Sequence, residues 1–167
     1  EEQEHVLSDK IALLKIAHDV EEILRHKADN REVTMTVEGE HVQIYGNQSY
    51  ITELFLNLMD NAVKYNHEGG SLNVKVGIEN GKAFAVFSDT GIGISDEHQS
   101  RVFERFYRVD KSRSKKIGGT GLGLSIVKHI VAYHSGEIQL ESEPEKGTTI
   151  TVKLPFNEPE TKQIEMN

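Results

Sequence analysis

The clearest pattern of hydrophobic and polar positions lies between Ile51 and Asn66, where apolar residues recur at helical spacing. The apolar set that we expect in the core is Ile51, Leu54, Phe55, Leu58, Met59 and Ala62. At about 100° per residue, a second set gathers on the opposite side of this central helix: Glu53, Asn57, Asn61 and Lys64. These polar groups form either a solvated surface or a site with oxygen ligands for a hard cation and an ammonium for phosphate.

The segment before the central helix has helical spacing of its own. Residues 8–28 carry an apolar stripe, and they open with Ser8 and Asp9, which favour the first position of a helix. Asn47 is suited in the same way to cap the central helix, which we expect to end near the glycine pair at 69–70.

Six other segments have the alternation or composition of strands. They are residues 33–38, 42–45, 72–78, 83–89, 138–142 and 148–154. A turn at Gly39 and Glu40 should return the chain into the second of them. Asn80-Gly81 stands between two alternating runs, which is the strongest short signal for a β-hairpin.

Two helical segments complete the pattern, a short one from Ser95 to about Phe103 and a longer one over residues 122–134. Strands and helices in this order predict an α+β fold. We expect a two-layer α/β sandwich in which a mixed, mostly antiparallel sheet of about five strands carries about three helices on one face.

Composition narrows the class of protein. A chain of 167 residues is long enough for one domain with a real core. Its formal net charge of −8 argues against a large surface for nucleic acid, and zero Cys excludes disulfides. The apolar runs are too short for a membrane span, and the chain opens without Met, so we expect a piece of a longer protein.

Two glycine-rich stretches are candidates for ligand binding. Asp89 ends a strand and leads into Thr-Gly-Ile-Gly-Ile, where Gly91 and Gly93 lack Cβ atoms. Such a stretch is either a plain turn or a place where a flat ligand lies against backbone while the Asp accepts a hydrogen bond from an exocyclic amine, as in adenine.

The second glycine-rich stretch, residues 118–125, opens the last helix, and backbone amides at a helix start favour phosphate. It is not a P-loop, because Leu124-Ser125 stands where Lys-Ser/Thr is required, and no strand precedes it as in a dinucleotide fingerprint. Residues 105–116 hold six basic residues against one acidic residue. This segment is either a solvated loop or a capture site for a triphosphate.

Together these motifs resemble the catalytic ATP-binding domain of sensor histidine kinases, within the wider GHKL group of ATPases. Asn57 to Tyr65 resembles the Asn box of that family, and residues 89–94 resemble its first glycine box. Residues 103–108 resemble its Phe box, residues 119–124 its second glycine box, and residues 147–149 its last nucleotide-contacting turn. The resemblance covers about residues 10–155 and implies a Bergerat fold with a mobile ATP lid at about residues 105–120.

The resemblance also implies roles for individual residues. Asp89 would accept from the adenine amine, Tyr65 would lie against the purine, and Asn61 with Asn57 would hold the Mg²⁺ that bridges the ATP phosphates. Lys64 and Arg108 would neutralise phosphate charge, together with the lid lysines. The catalytic set it implies is Asn57, Asn61, Lys64 and Arg108. The other nucleotide contacts it implies are Gly91, Gly93, Ile94, Tyr107, Lys115, Lys116, Gly119, Thr120, Gly121, Leu122, Gly123, Leu124 and Thr148.

The same resemblance implies partners. The γ-phosphoryl would pass to a His on a dimerisation domain and then to the Asp of a response regulator. His18 and His67 are followed by sequences that do not continue like the family's acceptor motif, so we expect the acceptor elsewhere in the parent protein. Residues 1–9 would be a stub after the dimerisation helices, and residues 156–167 a tail. The parent would be a membrane-anchored homodimer with this part in the cytoplasm, and the fragment itself a monomer.

Within the sensor kinases, the narrower resemblance is to phosphate-responsive or cell-wall sensors. Two alternatives to a sensor kinase remain open. One is another GHKL ATPase or serine kinase, although the gyrase and chaperone branches carry a Glu where this chain has Asn57. The other is a non-catalytic module that senses nucleotide. The role of Glu53 is also open between a ligand and a solvated carboxylate.

Overall fold

A computed structural model of the chain describes residues 9–104 and 123–157. Within these ranges the strands are β1 (Asp9–Ala12), β2 (Thr34–Gly39), β3 (Gln43–Gly46), β4 (Ser71–Glu79), β5 (Lys82–Asp89), β6 (Glu137–Glu143) and β7 (Gly147–Leu154). The helices are α1 (Leu13–Asn30), α2 (Gln48–Lys64), α3 (Asp96–Gln99) and α4 (Leu124–Tyr133). None of these helices is long and apolar enough to cross a membrane.

Five of the strands form one mixed sheet in the order β2-β4-β5-β7-β6. The pairing of β2 with β4 is parallel, and the other three pairings are antiparallel. The predicted hairpin at Asn80-Gly81 is confirmed: β4 and β5 pair directly up to Glu79 and Lys82, and the two turn residues have φ of 53° and 76°. Positive φ at both positions is what a two-residue hairpin turn requires.

The core lies between one face of this sheet and helices α1, α2 and α4. Alternate residues of the central strands point into it, so that Leu72, Val74 and Val76 of β4 are buried while the residues between them are more exposed. The apolar face of α2 covers the sheet, and the rings of Phe55 and Phe87 meet edge to face with centroids 5.2 Å apart. The predicted α+β sandwich is confirmed.

The predicted start of the first helix is wrong. Residues 9–12 form a strand that pairs antiparallel with β3 in a separate two-stranded sheet, and α1 begins at Leu13. Asp9 is a cap, but for another helix, because its Oδ2 accepts a hydrogen bond from the backbone N–H of Gln48 at 3.0 Å. Ser8 lies outside the described residues. A strand of four residues that pairs only with a distant segment leaves little periodic signal in the sequence.

The second correction concerns the partner of β3. The turn after β2 does not fold the chain back beside that strand, because β2 pairs along its length with β4 and the N–H of Glu40 still donates to the carbonyl of Val76 at 2.9 Å. The chain instead carries β3 to β1. On its other side, Tyr45 donates its N–H to the carbonyl of Phe156 at 2.9 Å, so the packed chain extends past residue 155.

Helix α2 is capped by Asn47 as predicted, since the Asn47 side chain accepts from the N–H of Tyr50 at 3.0 Å. Its predicted end near residues 69–70 is too late, because α2 ends at Lys64. The guanidinium of Arg31 donates to the carbonyls of Val63 and Lys64 at 3.0 and 2.7 Å. An Arg that directly follows α1 therefore satisfies carbonyl groups that the last turn of α2 leaves without helical partners.

The last elements differ from prediction only in extent. α3 ends at Gln99, before the predicted limit near Phe103, and is followed by a turn. Among the residues described, α4 runs from Leu124 to Tyr133, inside the predicted range of 122–134. Buried His134 follows it and joins α4 to the start of α2: its Nε2 accepts from the N–H of Asn47 at 3.0 Å, and its Nδ1 then donates to the carbonyl of Ile130 at 2.8 Å. Burial lowers the pKa of His134, which favours this neutral form.

Candidate functional site

The end of β5 presents a carboxylate held by backbone groups. Oδ1 of Asp89 accepts hydrogen bonds from the N–H of Gly91 at 2.8 Å and from the N–H of Thr148 at 3.2 Å. Among the residues that the structure describes, no donor reaches the other oxygen, Oδ2. Burial raises the pKa of Asp89 to about 6, and the two N–H donors oppose this shift without cancelling it. The two N–H groups thus hold the carboxylate through Oδ1, and Oδ2 is available to a ligand.

The first glycine box is shaped by contacts with the protein's own backbone. A Cβ on Gly91 would stand 2.5 Å from the carbonyl oxygen of Tyr65, and that same carbonyl accepts the N–H of Ile92 at 2.9 Å. Gly93 has φ of 71°, and a Cβ there would collide with the carbonyl of Glu143. Both glycines are therefore required by close backbone approach within the fold. A ligand contact at these positions stays a prediction.

Asn66 is a positioning residue that the sequence analysis missed. It is 7% exposed, its Nδ2 donates to the carbonyl of Ser71 at 3.0 Å, and its Oδ1 accepts the N–H of His67 at 2.8 Å. Thr90 joins the same group, because its Oγ1 accepts the N–H of Ser71 at 2.8 Å. These bonds hold the loop after α2 against the residues that follow Asp89. A polar residue two positions after the central helix and three before a glycine pair is the sequence signal that could have indicated this role.

Ser142 is a second positioning residue that was missed, and it lies on the other side of Asp89. Its Oγ accepts the N–H of Ile94 at 2.8 Å and lies 2.8 Å from both the carbonyl of Gly147 and the Oγ1 of Thr148. Gln99 adds a further link by donating to the carbonyls of Ile94 and Ser142 at 2.7 and 2.9 Å. The turn that presents Thr148 to Asp89 is thereby fixed to the first glycine box.

The polar face of α2 forms the second part of the site. Asn57 donates from Nδ2 to the carbonyl of Glu53 at 3.0 Å, which leaves its Oδ1 directed to the start of α4. Gly123 lies there with φ of 66°, and a Cβ on it would stand 3.1 Å from Oδ1 of Asn57. The structure therefore brings the Asn box and the last part of the second glycine box together. Glu53 is exposed, which agrees with a solvated carboxylate.

Lys64 is placed on the same face of α2, but its ammonium has a partner in the protein. Its Nζ lies 3.2 Å from Oδ2 of Asp60, and Nζ of Lys27 on α1 lies 2.8 Å from Oδ1 of the same carboxylate. A phosphate on the side of Asn61 would therefore compete with Asp60 for this ammonium. The Asp60–Lys64 pair has the i, i+4 spacing of a helical ion pair and could have been predicted from the sequence, whereas the contact of Lys27 with Asp60 could not, because Lys27 is distant in the chain.

The remaining predicted residues divide into two groups. Ile94 and Leu124 are buried at 8% and 3% exposure, and Asn61 and Tyr65 are partly buried on the same helix end as Lys64. The others lie outside the described residues and stay predictions: Tyr107, Arg108, Lys115, Lys116, Gly119, Thr120, Gly121 and Leu122. In the described part of the chain, no group of three His, Cys, Asp or Glu side chains could hold a metal ion.

Comparison with known proteins identifies the family. The model of the family described as histidine kinase-, DNA gyrase B-, and HSP90-like ATPases matches residues 46–158. The chain belongs to this family. The matched range includes the polar face of α2, Asp89 with its glycine box, and the turn at Thr148. The GHKL resemblance inferred from the motifs is thus confirmed.

Among the proteins that resemble this HATPase-family chain are a sensor-like histidine kinase, a phosphate regulon sensor protein and a sensor histidine kinase of solved structure. SenX3 of Mycolicibacterium smegmatis, a sensor-like histidine kinase, is 40% identical over 145 residues, 84% of this chain and 38% of SenX3. The phosphate regulon sensor protein PhoR of Pseudomonas aeruginosa is 43% identical over 110 residues, 66% of this chain and 25% of PhoR. The structure of the mycobacterial sensor histidine kinase MprB aligns with a TM-score of 0.76 at 29% identity, covering 89% of this chain and 97% of that one. The chain spans well under half the length of these two relatives.

Proposed function

We propose that this HATPase-family domain binds ATP and donates its γ-phosphoryl group to a His on a separate dimerisation domain. The observation that carries the proposal is the carboxylate of Asp89, because backbone N–H groups fix one of its oxygens and no described donor reaches the other. A fixed acceptor at a strand end suits an exocyclic amine such as that of adenine. Tyr65, whose backbone packs against Gly91, is the proposed neighbour of the purine.

The proposed phosphate end of the site is the polar face of α2. Asn57 and Asn61 supply side-chain oxygens of the kind that Mg²⁺ accepts, and the Oδ1 of Asn57 faces Gly123 across a space without a Cβ. This donor set fits a Mg²⁺ that is shared with the ATP phosphates. When bound, the ion would neutralise phosphate charge during transfer. Lys64 and the start of α4 would supply an ammonium and backbone amides to the same phosphates.

A phosphoryl donor explains the chemistry of this face better than an ATP hydrolase does. Position 57 holds an Asn, which cannot serve as a general base toward water, whereas the gyrase and chaperone branches carry a Glu there. Phosphoryl transfer relies mainly on positioning and charge stabilisation, so the domain needs no nucleophile of its own. We propose that the acceptor His belongs to the parent protein and that a response regulator receives the phosphoryl group next. A membrane anchor and a phosphate-responsive or cell-wall stimulus belong to the same proposal.

Titration calorimetry with ATP and with adenosine tests the site. Asp89→Asn should weaken both ligands by about ten- to a hundredfold, as expected for a lost charged hydrogen bond of about 1.5–3 kcal/mol. Asp29→Asn, which removes an exposed carboxylate on α1, is the matched control and should leave both affinities unchanged. Undiminished binding of adenosine to Asp89→Asn would contradict the adenine assignment.

Phosphotransfer requires a second measurement. The domain, a separately expressed dimerisation domain of a related kinase and ATP labelled at the γ-position should together yield phosphohistidine. Asn61→Ala should abolish the label, because it removes the proposed Mg²⁺ ligand. Nucleotide binding without phosphohistidine on dimerisation domains of several relatives would favour the non-catalytic alternative.

A further inference from the structure

Asp60 occupies the centre of a three-residue charge cluster next to the proposed phosphate end. Its two carboxylate oxygens have different partners: Oδ1 is 2.8 Å from Nζ of Lys27 on α1, and Oδ2 is 3.2 Å from Nζ of Lys64 on α2. The side chain of Asp60 is 24% exposed and that of Lys64 is 21% exposed, whereas that of Lys27 is 45% exposed. The pair inside α2 is therefore the more sheltered of the two.

The position of Lys64 on the helix gives its side chain two directions. At about 100° per residue, Asp60 lies about 40° to one side of Lys64 and Asn61 lies about 60° to the other. Side chains on a helix lean toward its N-terminus, so the Lys64 stem runs back over the turn that carries both residues. A rotation about its own side-chain bonds would bring the ammonium from Asp60 to the side of Asn61.

The backbone beneath Lys64 is fixed during such a rotation. The guanidinium of Arg31 donates to the carbonyls of Val63 and Lys64 at 3.0 and 2.7 Å, and the N–H of Tyr65 donates to the carbonyl of Asn61 at 3.0 Å. Lys64 can therefore change partner without any change in the helix. Lys27 makes the change less costly, because Asp60 keeps one cation after Lys64 has left.

We propose that Asp60 is a positioning residue that holds Lys64 beside the nucleotide site and competes with the ATP phosphates for it, while Lys27 sets the strength of that competition. This inference rests on the proposed function, since it assumes phosphates next to Asn61. Asp60 would change the affinity for ATP by changing the position of Lys64. Lys27, on a helix that otherwise packs the core, would also have a role in ligand binding.

The test is a set of calorimetric titrations with ATP and adenosine. Asp60→Asn removes the competing charge and should tighten ATP about two- to fivefold, within the energy range of exposed ion pairs. Lys27→Met leaves Asp60 with Lys64 alone and should weaken ATP by a similar factor. Adenosine, which has no phosphates, should bind all variants as it binds the wild type, and this also shows that the variants are folded.

A double-variant cycle separates the proposal from a general effect of charge. In a Lys64→Met background, Asp60→Asn and Lys27→Met should no longer change ATP affinity. Asp19→Asn is a matched control, because Asp19 forms an exposed pair with Lys15 on α1 at 2.9 Å, and it should leave ATP affinity unchanged. Equal effects of Asp60→Asn in both backgrounds, or no effect in either, would overturn the inference. Failure of the wild-type chain to bind ATP at all would instead refute the proposed function.

Discussion

The two ends of the candidate site are built in different ways. At the end of β5, Asp89 is held by backbone N–H groups of Gly91 and Thr148, and the loops around it are fixed by buried or partly buried groups such as Asn66. On α2, the polar side chains lie on a helix, but Lys64 makes an ion pair with Asp60 with which a bound phosphate would compete.

This difference determines how each end would contribute to the affinity for a ligand. In the proposed function, the carboxylate end is already in place before nucleotide binds, so it would bind adenine at little cost in ordering. The α2 end would exchange Asp60 for phosphate as the partner of Lys64, so its contribution to affinity would be the difference between two sets of interactions. Changes at the first end should therefore affect folding as well as binding, and changes at the second should affect binding of phosphates alone.

The largest expected effect is on the stability of the carboxylate end. Gly93→Ala places a Cβ at φ of 71° and against the carbonyl of Glu143, which should lower the free energy of unfolding by about 2–4 kcal/mol. Gly69→Ala is the matched control, because Gly69 has φ of 84° but no atom within 4 Å of the added Cβ. It should cost only about 1 kcal/mol. Urea unfolding of the two variants measures the difference, and equal losses would show that the glycine box is not closely packed.

The next effect is a pH dependence of stability that comes from Asp89. Its pKa is about 6 in the folded protein, above the ordinary value of 3.8, so the folded state binds the proton more tightly than the unfolded state does. This contribution to stability is present below pH 3.8 and is lost as pH rises through about 6. The unfolding free energy of Asp89→Asn relative to the wild type should thus be higher at pH 7.5 than below pH 3.8, by up to about 3 kcal/mol.

The measurement is the difference in unfolding free energy between wild type and Asp89→Asn at pH 5 and at pH 7.5. The difference is needed because His134, whose pKa is lowered by burial, gives a dependence of opposite sign in both proteins. If the advantage of Asp89→Asn did not grow with pH, the carboxylate would not be desolvated in the way the structure indicates.

The smallest expected effect on stability is at the α2 end. Asn57→Ala removes a partly exposed side chain whose hydrogen bond is to its own helix, so the unfolding free energy should change by less than about 0.5 kcal/mol. ATP affinity measured with Mg²⁺ should nevertheless fall about tenfold, while adenosine affinity stays the same. Equal losses for the two ligands would mean that the two ends of the site are not independent.

Part of the site could be predicted because its residues are close together in the chain. The spacing of Asn57, Asn61 and Lys64 follows from helical geometry, and Asn80-Gly81 fixes the hairpin that delivers Asp89 to a strand end. The supporting residues were missed because some of their partners are remote in sequence. Ser142 accepts from the N–H of Ile94, 48 positions away, and Asn66 Oδ1 lies 3.4 Å from the Oγ1 of Thr90, 24 positions away. The relative position of these segments is a property of the packed sheet.

The strands at the start of the chain show the same limit. Asp9 was predicted to cap a helix, and it does, but the helix is α2 and not the one that follows it in sequence. The choice depends on the pairing of β1 with β3, and four residues carry too little pattern to predict it. Short strands gain their stability from the partner, so their register follows from the fold rather than from local propensity.

By itself the sequence determined the α+β class, the hairpin, the polar face of α2 and the family resemblance, because periodicity and turn chemistry act between near neighbours in the chain. Only the tertiary structure decided how Asp89 is held and which backbone carbonyls lie close to Gly91 and Gly93. It also decided that Lys27 shares the carboxylate of Asp60 with Lys64. The physical reason is the range of the interactions. Burial, ion pairing and close backbone approach join residues tens of positions apart, and their strength depends on an environment that exists only after the sheet and helices have packed.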